Sequence, residues 1–123
     1  MKKIINLIAF LLIVVLFSSC NDKNCNKLPN SFNNYRQALK EVKSAKFEIN
    51  DKINNSKSSW IRGASFYSCD LKTGYLIIET DKKEYIHQDI PIEVWNNFKK
   101  ADSFGRYYSK NIRGKYKIKI ENY

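Results

Sequence analysis

Apolar and polar positions along this chain follow two rhythms in turn, and each predicts an element. Between 32 and 45, Phe32, Tyr35, Leu39 and Val42, with Ala38 beside them, recur every three or four residues behind Ser31, a residue type that caps helices. An amphipathic helix is expected there. "KFEIND" then shifts to a two-residue alternation, a short strand, before "INNSKSS" breaks the pattern with turn formers. Two clearer strands follow, at about 60–69 and in "YLIIET" at 75–80, joined across "DLKTG" with Gly74 supplying the turn. "DKKE" turns the chain again into "EYIHQ" at 84–88. Short connections of this kind make an antiparallel meander. Pro91 pre-sets a helical first turn, Val94, Trp95, Phe98 and Ala101 line one helical face, Ser103 can cap a second helix, and Gly114 ends it. The closing "KYKIKI" sets Tyr116, Ile118 and Ile120 against three lysines, the pattern of a half-buried strand at a sheet edge. The expected fold class is α+β: a small antiparallel meander of three to four strands packed against two C-terminal helices and preceded by an amphipathic helix.

The N-terminus has a different grammar. Lys2 and Lys3 lead into an apolar run from Ile4 to Phe17, which closes on the small residues Ser18 and Ser19. This is the layout of a secretory signal, and the run is shorter than the roughly 18 to 20 apolar residues of a spanning helix. "LFSSC", ending at Cys20, resembles the lipobox of bacterial lipoproteins, with Phe17 where Leu is usual and Ser19 where Gly or Ala is favoured. That resemblance implies a diacylglyceryl group on the Cys20 thiol, cleavage before it, and acylation of the new amino terminus. Acyl chains contribute about 0.8 kcal/mol per buried methylene, enough to hold a protein on a bilayer without a spanning helix. "NDKNCNKLPN" at 21–30 reads as a flexible tether. The expected organisation is a signal at 1–19, a tether at 20–30 and one domain at 31–123, lipid-anchored to the cell or outer membrane on the non-cytoplasmic side. No cofactor is expected beyond the covalent lipid at Cys20.

Charge bears on partners. The chain carries a formal +10, of which the signal supplies two lysines; residues 99–123 alone contribute +6. Such asymmetry points to an anionic partner and says little about fold. Cys25 and Cys69 could pair in an oxidising compartment, but the bridge would tie the tether back onto the domain; the plainer expectation is a buried Cys69 and an idle Cys25. His87 is the only histidine and there is no C-x-x-C pair, so a zinc site lacks ligands. His87 and Asp89 could be imagined in a triad with Ser103, but no nucleophile elbow or glycine-rich loop accompanies them, and a non-catalytic chain is expected.

Five residues are candidates for binding. Within a helix over 104–113, Arg106, Lys110 and Arg113 fall in one arc beside an apolar stripe of Phe104, Tyr108 and Ile112 that faces the sheet. Arg113 could fork onto a phosphate or carboxylate; the plainer reading is a solvated helix face. Tyr85 and His87 share one face of a central strand, where they could stack on a base or sugar, or, more plainly, pack beneath a helix near Trp95 or Phe98.

From Ser58 to Tyr116 the sequence resembles the KTSC domain, a small module found at the C-terminus of some lysyl-tRNA synthetases and alone in bacterial proteins. Ser58, Ser59 and Ile61 match its opening, Tyr67 and Asp70 its first turn, and Leu76 and Ile78 its alternating strand. Tyr85, Ile86 and His87 before Ile90 and Pro91 stand for its Tyr-x-Tyr and Val-Pro, with His87 replacing the second tyrosine. Ala101, Ser103, Gly105, Tyr107, Tyr108, Ile112, Arg113 and Tyr116 supply its tail. The resemblance implies RNA binding as a suggested role. Export changes the expected ligand to an anionic envelope component, such as a lipid headgroup or polysaccharide, or an acidic protein partner. Nucleic acid is the alternative, and an inhibitor or immunity-type lipoprotein a third class.

Overall fold

A computed structural model describes residues 23–54 and 60–121. The expected signal and the lipidation residue, Cys20, lie outside the described residues. After a single 3-10 turn at Cys25–Lys27, the elements run α1 (Tyr35–Ser44), β1 (Ile49–Asn54), β2 (Ile61–Ser68), β3 (Thr73–Thr80), β4 (Glu84–Pro91), α2 (Ile92–Lys100) and α3 (Phe104–Asn111). The four strands form one antiparallel sheet in chain order, so the meander is as expected, with β4 at an edge rather than at the centre. Among the described residues no helix is long and apolar enough to cross a membrane.

Both faces of this sheet are covered. Side chains alternate along a strand, so the run Leu76, Ile77, Ile78 can be wholly buried only if each face has a lid. Leu76 and Ile78 join Ile61, Ala64, Phe66 and Ile90 beneath Trp95 and Phe98 of α2 and Tyr108 of α3. Ile77 and Ile86 point the other way, against Phe32 and against Ala38 and Val42 of α1. The first face is built largely of stacked rings: Phe66 to Trp95 at 5.4 Å and Trp95 to Phe98 at 5.8 Å between centroids. Each such ring buries a large apolar area and gains further from offset packing. The indole N–H of Trp95 donates to Asp51 Oδ2 at 2.9 Å, and Lys99 Nζ donates to the same oxygen at 2.8 Å. The bond from Lys99 holds the Asp51 carboxyl below its ordinary pKa.

Local chemistry fixes the boundaries, in places differently from the sequence reading. The cap of α1 is Asn34, whose side chain accepts from Gln37 N, and not Ser31, because the segment around Phe32 is extended and bridges Ile120. Gly74 is not the turn. Leu71 takes the positive φ of 65°, and Asp70 Oδ1 accepts from the N–H groups of Lys72 and Thr73, which lowers the Asp70 pKa. Gly74 sits within β3, where an added Cβ would collide with the Tyr67 carbonyl and the Phe66 ring. Ser103 caps α3 as expected, accepting from Arg106 N. Pro91 closes β4 and stands just ahead of α2.

Two expectations are corrected outright. "KYKIKI" keeps its alternating burial but forms no ladder strand. It meets the outer edge of β4 through one bridge, His87 to Lys117, because side chains there do the work of the backbone. Buried Gln88 accepts from Lys119 N at 3.0 Å and donates to Asn30 O at 2.9 Å, tying tail and N-terminal segment together. The presumed tether is likewise docked from residue 23 onward: Cys25 N donates to Lys46 O, Lys46 N to Lys23 O, and Cys25 is disulfide-bonded to Cys69. The bridge that seemed the less plain reading forms because this pairing brings the two Cα atoms within 6.0 Å.

Closing a loop of 44 residues gives the bridge a stabilisation of about 4 kcal/mol by chain entropy, less whatever the reduced state retains. Urea unfolding of the Cys25→Ser/Cys69→Ser chain is expected to show a loss of about 2 to 4 kcal/mol relative to the oxidised protein.

Candidate functional site

His87 is a structural histidine. It lies on β4 opposite Leu76, on the face covered by α2 and α3, and is 8% exposed. Its ring contacts Tyr108 edge-to-face at 5.4 Å, so its neighbours are Tyr108 and Tyr116 instead of Trp95 or Phe98. Nδ1 is 2.9 Å from the Tyr116 carbonyl, and Nε2 is 2.8 Å from Tyr108 Oη. A carbonyl can only accept, so Nδ1 carries the proton, Nε2 accepts, and the Tyr108 hydroxyl donates. Burial pushes the His87 pKa down and raises that of Tyr108 to about 12, both favouring this neutral pair.

Tyr85, two residues earlier, has a different setting. It faces a hollow of about 230 Å³ lined by Trp60, Tyr85, Tyr108 and Arg113. Trp60 meets Tyr108 at 5.6 Å between centroids and 66° between planes. Gly105 permits this: a Cβ there would run into the Trp60 indole, so the glycine inside α3 is a seat for a ring. Lys83 Nζ lies over the Tyr85 ring, 4.7 Å from its centroid.

Arg113 leaves the stripe predicted for it. The last turn of α3 closes with the N–H groups of Ile112 and Arg113 both donating to the Tyr108 carbonyl, and Gly114 follows with φ 78°. The bond from Arg113 spans five residues instead of four, so the helix has ended before Arg113, whose side chain lines the aromatic hollow. Arg106 and Lys110 stay on the exposed helix face, around a separate depression shared with Asp102 and Ser103. Of the five sequence candidates, the structure therefore unites Tyr85 with Arg113, buries His87 behind them, and sets Arg106 and Lys110 apart. The sequence reading did not single out Trp60 and Tyr108 as lining the hollow. The signal for them was Gly105, a helix-weakening residue in the first turn of α3 with no turn or C-cap to make.

Arg113 is exposed, and among the described residues no carboxylate pairs with it. Some exposed cations are matched, as in Arg62 with Asp81, Lys43 with Glu84 and Lys119 with Asp89, whereas Arg36 and Arg106, like Arg113, form no ion pair among the described residues; what distinguishes Arg113 is its place at the aromatic hollow. The hollow thus combines three rings with one guanidinium that has no intramolecular anion. No group of three or more metal-ligating side chains occurs among the described residues.

Residues 58–116 match the family model of the KTSC domain. No curated protein and no solved structure matches the chain. Several residues that carry the match now have visible duties: Asp70 shapes the first turn, Gly105 seats Trp60, and Tyr85, Tyr108 and Arg113 line one hollow. The segment from 58 to 116 is a KTSC domain, carried in this chain between an N-terminal helix that covers the far face of its sheet and a tail that closes the sheet edge.

Proposed function

We propose that the chain is a bacterial lipoprotein, anchored through Cys20, whose KTSC domain is a non-catalytic binding module for an anionic group on the outer side of a membrane. The observation that carries the binding reading is Arg113: an exposed guanidinium with no acid partner among the described residues, set at an aromatic hollow. A guanidinium so placed is matched in geometry and charge to a carboxylate or phosphate. The leader, with its lipobox resemblance, supports the location.

The residues that could suggest catalysis have other occupations. Both ring nitrogens of His87 and the Tyr108 hydroxyl are engaged with each other or with Tyr116, Ser103 caps α3, and Asp89 pairs with Lys119. A nucleic-acid role is weakened by Lys83, whose ammonium lies over the Tyr85 ring and would compete with a base for one of its faces.

Three outcomes are expected. Mass spectrometry of protein recovered from membranes finds a mature N-terminus at Cys20 carrying lipid; intact unlipidated chain in the soluble fraction overturns the anchor. Binding to a soluble polyanion, followed by anisotropy, falls about tenfold for Arg113→Ala and less than twofold for Arg106→Ala/Lys110→Ala. The third concerns His87. Its folded-state pKa is depressed, so the unfolded chain takes up the proton first, and stability declines as pH falls below about 6.5 until the folded pKa is passed. Urea titrations between pH 5 and 8 should show this decline in the natural chain. His87→Gln should abolish it while costing about 1 to 2 kcal/mol at pH 8.

A further inference from the structure

The hollow beside Arg113 has features that narrow the class of anion, given the anion-binding reading above on which this rests. Its volume of about 230 Å³ lies below the roughly 300 to 1,000 Å³ of drug-sized pockets, which suits one ring-sized group. It runs along α3 from Trp60, seated against Gly105, to Arg113, which lies just past the C-terminal end, the negative end of the helix dipole. The backbone N–H groups of Ile112 and Arg113, at that end of the helix, are already donating to the Tyr108 carbonyl. A phosphate dianion is best held by several donors at a positive helix end, and here it would meet the Arg113 guanidinium at a negative one, with the Lys83 ammonium drawn to the Tyr85 ring. A single negative charge is the better match, and the planar fork of Arg113 suits a carboxylate. The walls set a second condition. Trp60 and Tyr108 meet at 66°, forming a corner rather than a parallel slot, and Lys83 covers the Tyr85 ring. A flat base cannot be sandwiched there, whereas a single ring can place its C–H edge in the corner.

We propose that the hollow of Trp60, Tyr85, Tyr108 and Arg113 receives a carboxylate carried on one six-membered ring, with the ring against the aromatic corner and the carboxylate forked by Arg113. The shared chemistry belongs both to the hexuronate units of acidic polysaccharides and to free aromatic acids.

The test uses the full-length chain in neutral detergent and follows the two indole N–H resonances by NMR. Trp60 is the probe, and Trp95, buried and bonded to Asp51, is the internal control. Glucuronate, benzoate, inorganic phosphate and glucose are titrated at constant ionic strength. The proposal expects a saturable shift of Trp60 but not of Trp95 with at least one of the two acids, none with glucose, and at least tenfold weaker binding of phosphate. Arg113→Ala should remove the saturable shift, and Arg113→Lys, which keeps the charge but loses the fork, should weaken it at least fivefold. Glucuronate binding more tightly than benzoate assigns the source to acidic polysaccharide; the reverse assigns it to free aromatic acids. Phosphate binding as tightly as the acids overturns the ligand class while leaving the anion-binding reading standing. No saturable shift with any anion overturns both.

Discussion

A sheet buried on both faces has no place for charge except its rim, and the rest of this molecule follows from that constraint. Four strands of at most eight residues must supply apolar side chains in both directions, which is why Leu76, Ile77 and Ile78 are all inside. Polar groups within the stack survive only when fully engaged. His87 and Gln88 meet that condition at the edge of β4 by bonding the C-terminal tail, and Gln88 also bonds the N-terminal segment. The lysines and arginines are left on the periphery, where acids pair with a minority of them among the described residues.

The elements themselves were legible in the sequence because each is amphipathic at its own period. The α+β class, the meander, the two C-terminal helices and the stripe of Phe104, Tyr108 and Ile112 all followed from spacing. What spacing could not give was the third layer. The unbroken apolar run Leu76, Ile77, Ile78 fits two covered faces, but nothing local in 32–45 says which face that helix takes. The disulfide was obscure for a related reason: its geometry depends on the pairing of Cys25 with Lys46, a contact between segments with no shared periodicity.

The candidate site was half visible. Cations four residues apart on a helix read as one stripe, and the arithmetic holds only while the helix continues. Both Ile112 and Arg113 turn their N–H groups to the Tyr108 carbonyl, so the helical count fails one residue before it reaches the arginine. Tyr85 and His87 separated for a simpler reason. They lie on the same face, but one sits under the hydroxyl of Tyr108 and the other opens toward the hollow. In the family pattern both positions are tyrosines. The histidine accepts a hydrogen bond from Tyr108 through Nε2 and donates one to Tyr116 through Nδ1, bracing one wall of the hollow from behind.

The bridge between Cys25 and Cys69 also governs how the domain would stand on a bilayer. Position 25 is only five chain steps from position 20, and an extended chain advances at most about 3.6 Å per step. A lipid on Cys20 would hold Cys25 within about 18 Å of its attachment point, and Cys69, in the β2–β3 turn and 6.0 Å from Cys25 between Cα atoms, within about 24 Å. A long leash lets a module sample every orientation; this one would be moored by its corner.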